Sequence, residues 1–359
     1  MKANHNGLTI ALSFFVCMIF ASIHLDSRQL YAQTPFYQGK TITVILGAQP
    51  GGSADMRARS TASVLGKHVP GKPTIIAGYM PGGGGRKLAN YMFRAARPNG
   101  RTIAMPASSF TILALLGAPG VRYELDKFTY LGTPQSQAHY VFLTRKELGL
   151  DSLEKLRKKK GLRIGAQSVG HTIYIIGRLF AYGLNLNEPK FITGYSGPEL
   201  DLAVLRGEVD ARVNLAHTVM QRRREMVEKN LVDFHASLEV PRGFAHPHPT
   251  FAKLPDLEDL AGTGRARKPV AMFRSLRYLG SPMILGPGNP EQSITTLKQA
   301  IDATFVDPEF KKQFTKLTGI EPSPRSGSSI AKDLKQMSGD KETIELFRKI
   351  ATAGPLPPR

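Results

Sequence analysis

At 359 residues the chain is long enough to bury a large core, and that length favours two domains. Its 48 Lys and Arg against 28 Asp and Glu leave a net charge of +20, which suits an acidic small molecule or a nucleic acid and alone chooses neither. The sole cysteine, Cys17, lies in an N-terminal apolar run, so a chain cleaved after that run excludes disulfides, thiol catalysis and Cys-ligated zinc.

Lys2 and the apolar run Leu8 to Ile23 have the layout of a signal peptide. Ala32 is the small residue at its end, with Leu30 an imperfect minus-three position, so residues 1–32 are expected to be removed on export to the periplasm. No later stretch reaches the roughly 18 uncharged apolar residues of a membrane span. Thr41 to Ala48 then reads as a strand, and the turn Pro50-Gly51-Gly52-Ser53-Ala54-Asp55 opens a helix running to about His68. Two glycines let a ligand approach the backbone, and Ser53 or Asp55 can cap a helix start whose free N–H groups attract anions. The plainer reading is a strand-to-helix connection with no ligand. Pro73 to Ala77 is the second strand, Pro81-Gly82-Gly83-Gly84-Gly85 a second glycine turn, Arg86 to Ala96 a helix, and Thr102 to Met105 a third strand. This β-α-β-α-β order begins a parallel sheet with ligands expected at the carboxyl ends of its strands, where Gln49 and Ser108 fall.

Neither glycine run matches a dinucleotide or triphosphate motif. Gly165 to Thr172 has P-loop spacing but carries His171 where the lysine must stand, which removes the main point charge on a triphosphate. The plan repeats in the second half. The strand Leu162 to Ala166 enters the polar turn Gln167 to Thr172 before the helix Ile173 to Gly183. The strand Lys190 to Thr193 enters Gly194-Tyr195-Ser196-Gly197-Pro198 before the helix Glu199 to Arg206, and Val209 to Asn214 is the next strand.

These residues resemble the solute-binding proteins of tripartite tricarboxylate transporters, the TctC or Bug family. The likeness rests on Gly39-Lys40-Thr41-Ile42-Thr43-Val44 with the PGGSAD turn, the second glycine turn, Pro98-Asn99-Gly100, Gly194 to Gly197, and Gly207-Glu208-Val209-Asp210. It runs from about Tyr37 to Gly319, and the order and spacing of the motifs carry it, not any one of them. The resemblance implies an α/β, type II periplasmic-binding-protein fold, two Rossmann-like domains joined by crossover strands that close as a flytrap. Domain 1 is expected at 34–132 plus 279–359 and domain 2 at 133–278, with hinges near Gly132 and Leu279. The resemblance further implies a small carboxylate held largely by backbone N–H groups and ordered water at two facing turns, made by Gln49, Pro50, Gly51, Gly52, Ser53 and Asp55 on one side and Tyr195, Ser196, Gly197, Pro198 and Glu199 on the other. Gln167, Ser168, His171 and Thr172 correspond to the family's polar loop, and Asn214 and Ser108 are expected to join them at the ligand.

Three departures bear on the ligand. Gln49 replaces an aromatic or apolar wall by an amide, Asn214-Leu215-Ala216-His217 stands where an acidic cleft residue is usual, and Arg212 lies two places upstream of Asn214. The cleft is therefore expected to be more polar and less acidic than the family's. His171 has two readings, helix cap or ligand contact. His246-Pro247-His248 lacks a third ligand nearby and reads as a surface loop, so no metal is expected. Ser53 and Ser196 sit in no G-x-S-x-G elbow, so no catalytic residue is assigned. The basic stretches Lys155 to Lys160, Arg222 to Arg224 and Gly264 to Arg277 are almost free of aromatics, which disfavours nucleic acid and favours solvated faces or docking to acidic membrane partners. Beyond them, Tyr278 to Gly286 reads as the second crossover strand. Helices follow at about Glu291 to Phe305 and Pro308 to Leu317, polar helices fill Ser328 to Ala351, and the Pro-rich tail Gly354 to Arg359 is expected to be loose.

The sequence thus reads as a periplasmic, monomeric receptor that captures an organic acid without cofactor or chemistry and hands it to integral-membrane transporter subunits. An exported sensor reporting the solute to a signalling partner uses the same cleft. A hydrolase or transferase on this fold would need a general base beside Ser53 or Ser196.

Overall fold

The structure is a computed structural model and describes residues 34–262, 264–337 and 339–359. The expected signal peptide and Cys17 lie outside the described residues. The compact unit Phe36–Arg359 contains everything below. Among its described residues, no helix is long and apolar enough to cross a membrane.

Eleven strands form two sheets. The first takes β1 (Thr41–Leu46), β2 (Thr74–Tyr79), β3 (Thr102–Met105) and β4 (Thr129–Thr133) from the early chain. The second is built from β5 (Ala138–Arg145), β6 (Arg163–Gly165), β7 (Lys190–Ile192), β8 (Ala211–Leu215) and β9 (Val232–Val240). The chain then returns to the first sheet with β10 (Met283–Leu285) and the short β11 (Arg325–Ser326), giving the orders β11-β4-β10-β3-β1-β2 and β7-β6-β8-β5-β9. In both sheets the β-α-β part is parallel: β2 and β3 flank β1, and β7 and β8 flank β6. The strands at the crossings, β10 and β5, pair antiparallel. Each parallel strand therefore delivers its following turn to the same edge of its sheet.

Alternation explains the layers. In β1, Ile42, Val44 and Leu46 are buried against Val64 and Leu65 of the helix Ser53–His68 and Leu297 and Ile301 of the helix Glu291–Val306. Phe310 and Phe314 of the helix Pro308–Thr318 close that layer, each contributing about 1.5–3 kcal/mol by burial. In β5, Tyr140 and Phe142 point into one core cluster and Val141 and Leu143 into another, as a strand covered on both faces must. The larger cluster is continuous between the sheets, running from Phe110 and Ile284 to Phe180, Phe273 and Phe347. Asp307 ties two helix ends together: it caps Pro308–Thr318 through the Glu309 N–H and accepts from Lys67 at 2.9 Å and meets His68 at 2.7 Å at the basic end of Ser53–His68.

Several elements differ from expectation. The basic segment before residue 278 is a helix, Arg267–Arg277, whose Val270, Phe273 and Leu276 are buried, and the second crossover strand is confined to β10. β9 and the helix Ser109–Leu115 have no counterpart in the sequence reading. The polar C-terminal region makes two helices that part company: Gly327–Gln336 packs on β4, whereas Lys341–Ala351 packs on the helices Thr172–Gly183 and Arg267–Arg277 beside the second sheet. The tail expected to be loose is held there, since Arg178 Nη1 donates to the Gly354 carbonyl at 3.0 Å and Arg359 Nη2 to the Ala261 carbonyl at 2.7 Å.

Candidate functional site

The carboxyl-end turns of both sheets meet at a cavity of about 590 Å³. From the first sheet it is lined by the turn after β1, by Pro81, Gly82 and Gly84 after β2, and by Ala107 and Ser108 after β3. The second sheet contributes Tyr140 of β5, Gln167 to Ile173 in part after β6, Gly194 to Gly197 with Glu199 after β7, and Arg212 and Asn214 of β8. The two sides touch. Ser108 Oγ and Thr172 Oγ1 share a hydrogen bond of 2.9 Å, and Arg222 Nη1 donates to the Gly51 carbonyl at 3.3 Å. The second glycine run has its reason here: Gly84, at φ +64°, lies so close to the other side that a Cβ would stand 2.0 Å from the Gly170 carbonyl oxygen.

The opening turn is built to leave donors free. The helix begins at Ser53, with Gly52 as an extended N-cap that offers no side-chain acceptor. The first-turn N–H groups of Ser53 and Ala54, both residues lining the cavity, thus have no capping side chain among the described residues. Asp55 does not supply one and does not line the cavity. Its Oδ2 accepts from the Gly51 N–H at 2.9 Å and its Oδ1 from the Tyr79 hydroxyl at 2.7 Å, so the carboxylate braces the turn from behind. Gly51 likewise stands outside the lining.

The facing turn is different in kind. Ser196 Oγ accepts from the Glu199 N–H at 3.4 Å, and Glu199 Oε2 accepts from the Ser196 N–H at 2.6 Å, a complete capping box. The resemblance implies an acid seated on both helix starts. The second is closed by its own side chains, and the Ser-x-x-Glu spacing that does so is plain in the sequence. Pro198 stands outside the lining, while Tyr195, Ser196, Gly197 and Glu199 are part of it.

Most of the remaining expected residues line the cavity, and some are engaged by neighbours of their own. Gln49, Pro50, Gly52, Ser53, Ser108, Gln167, Ser168, His171, Thr172 and Asn214 all line the cavity. His171 caps the helix Thr172–Gly183, its Nδ1 accepting from the Ile173 N–H at 3.2 Å, and burial pushes its pKa down to about 4, so it is neutral at pH 7. Asn214 donates to Asp201 Oδ1 at 3.0 Å. Gln167 keeps a buried Oε1 without a partner. The His246 to His248 loop caps itself, His248 Nδ1 accepting from the Thr250 N–H and His246 Nδ1 from the His248 N–H.

Sequence reasoning missed the charge of this cavity. Arg57, Arg222 and Arg277 line it together with Arg212. Arg212 and Arg222 share Asp201, with Arg212 Nη1 on Oδ1 and Arg222 Nη2 3.0 Å from Oδ2. Tyr140 Oη accepts from Arg277 Nε at 2.6 Å. A cavity with these walls can hold a small anion on backbone N–H groups and guanidiniums, with hydroxyls and amides to orient it.

No protein-family model matches the chain, and no curated protein matches it. Its fold is that of solved two-lobed periplasmic binding proteins. The periplasmic binding protein BugD aligns at a TM-score of 0.66 and 18% identity, covering 88% of this chain and 99% of that one. MatC (Rpa3494) from Rhodopseudomonas palustris with bound malate aligns at 0.63 and 18%, over 87% of this chain and 99% of that one. R. palustris Rpa4515 with adipate aligns at 0.62 and 17%, over 87% and 97%. At such identities the likeness is one of fold.

Proposed function

We propose that the chain is an extracytoplasmic solute receptor of the TctC or Bug type, which captures a small organic acid in the cleft and delivers it to tripartite-type membrane transporter subunits. One observation carries the reading: an uncapped helix start opens into a cavity between two sheets that is lined by four guanidiniums. The neighbours solved with malate and adipate agree with a carboxylate as the ligand. The Ser53 and Ala54 N–H groups of the turn hold one carboxylate, with Gln49 and Gly52 beside it, and Gln167, Ser168 and Tyr195 to Gly197 meet it from the other side. The segments after β4 and before β10 serve as hinges between lobes bounded near residues 133 and 279. Binding is the whole of the chemistry, and export to the periplasm precedes it.

A thermal-shift screen of the purified protein over mono-, di- and tricarboxylates, amino acids and nicotinate-like acids tests the reading. A rise in melting temperature with at least one acid is expected, since a ligand that binds only the folded chain stabilises it by mass action. No shift with any acid, or hydrolysis of a bound ester or amide, contradicts it.

A further inference from the structure

The four guanidiniums of the cavity are not equivalent. Arg212 and Arg222 divide one carboxylate, Asp201, between them. Arg57 and Arg277 have no carboxylate partner among the described residues, although they are only 6% and 2% exposed. Arg57 reaches a single acceptor, Gln135 Oε1, at 3.5 Å. Arg277 donates through Nε to Tyr140 Oη, while its Nη1 is buried with no partner at all. The nearby His217 adds no further positive charge, because burial and the surrounding arginines hold it neutral. Burial and the charge of Arg277 bring Arg57 down to about 10, which still leaves it charged at pH 7. A buried guanidinium with an unused N–H is strongly unfavourable unless an anion completes it.

The two arginines also come from different sides. Arg57 is on the helix Ser53–His68 behind β1, and Arg277 ends the helix Arg267–Arg277, which packs on β9 and on the helix Thr172–Gly183. Their repulsion opposes closure, and an anion between them reverses its sign. The uncapped first-turn N–H groups of Ser53 and Ala54 and the arginine pair all line this one cavity.

We propose that Arg57 and Arg277 form a second oxyanion subsite that makes this cleft selective for solutes carrying two acid groups, one on the Ser53 and Ala54 N–H groups and one between the arginines. The inference rests on the reading of the cleft as an acid-binding site. The second group accepts from Arg277 Nη1 and from Arg57, and by joining the two sides it makes closure depend on the ligand's second charge.

Calorimetric titration of the purified protein with succinate, glutarate and adipate, each against butyrate, pentanoate or hexanoate of the same length, tests it. The best diacid is expected to bind at least about tenfold tighter than its matched monoacid, as a charge-assisted contact to a buried guanidinium should give. Arg57→Gln and Arg277→Gln are each expected to cut that ratio below about threefold, while the corresponding Lys variants recover part of it. Equal binding of monoacids and diacids by the unaltered protein overturns the subsite, needs no variant, and leaves the acid-binding reading standing. Variants that fold, by circular dichroism, and keep the full ratio also overturn it. Failure of every acid to bind removes both readings together.

Discussion

At the scale of residues, the site depends on which polar groups are already committed. Gly52 is the N-cap whose missing side chain leaves the first-turn N–H groups open, and a Cβ there would meet only the Gln49 carbonyl at 3.7 Å. Gly52→Val should therefore fold, at a cost of about 1 kcal/mol for a poor cap, yet screen the donors and weaken acid binding by more than about tenfold. Titration calorimetry beside a urea melt separates the two effects, and unchanged affinity would remove the turn from the site. Asp55 predicts the opposite balance. Its carboxylate holds the Gly51 N–H and the Tyr79 hydroxyl, so Asp55→Ala should lower unfolding stability by about 1–2 kcal/mol. An affinity loss in that variant without any loss of stability would mean that Asp55 faces the ligand after all.

At the scale of elements, the two sides of the cleft do unequal work. The capping box of Ser196 and Glu199 closes its own helix start, so Ser196→Ala should cost about 1 kcal/mol of stability with little change in affinity, as chemical unfolding and titration would report. At Gly84 the two sides leave no room for a side chain. Gly84→Ala adds a Cβ 2.0 Å from the Gly170 carbonyl and strains a positive φ, so the variant should hold the lobes apart, with a larger radius of gyration in small-angle scattering with ligand present. An unaltered radius would contradict it. The order of β1 to β3 and of β6 to β8 with their turns was legible because β1 opens by alternating Thr with apolar residues and the turns carry Pro and Gly. The capping box was legible too, in Ser196-Gly197-Pro198-Glu199. Arg57, Arg222 and Arg277 were not, since a charged residue on a helix reads as solvated and only the packing of a distant element buries it. Arg277 was hidden further by a segment whose Gly264 and Pro269 mask the helical spacing of Val270, Phe273 and Leu276.

At the scale of the whole molecule, the chain joins its two sheets more than twice. It passes between them after β4 and before β10, and between Gly327–Gln336 and Lys341–Ala351 it crosses again. Burial of histidines adds a pH dependence. His139, His171 and His235 are pushed down to about 4 by burial, against 6.5 unfolded, so between those values the unfolded chain binds more protons. Stability should thus fall as pH drops from about 6.5 to 4. Asp307, held down to about 2 by Lys67, the Glu309 N–H and His68, extends the loss below pH 4. Melting temperatures across pH 7 to 4 check this, and a flat profile would contradict it. The central claim, that an organic acid is held between the two sheets, is tested most directly by a crystal structure of the protein with the tightest-binding acid. A carboxylate on the Ser53 and Ala54 N–H groups is the predicted result, and an acid bound outside the cavity would contradict it.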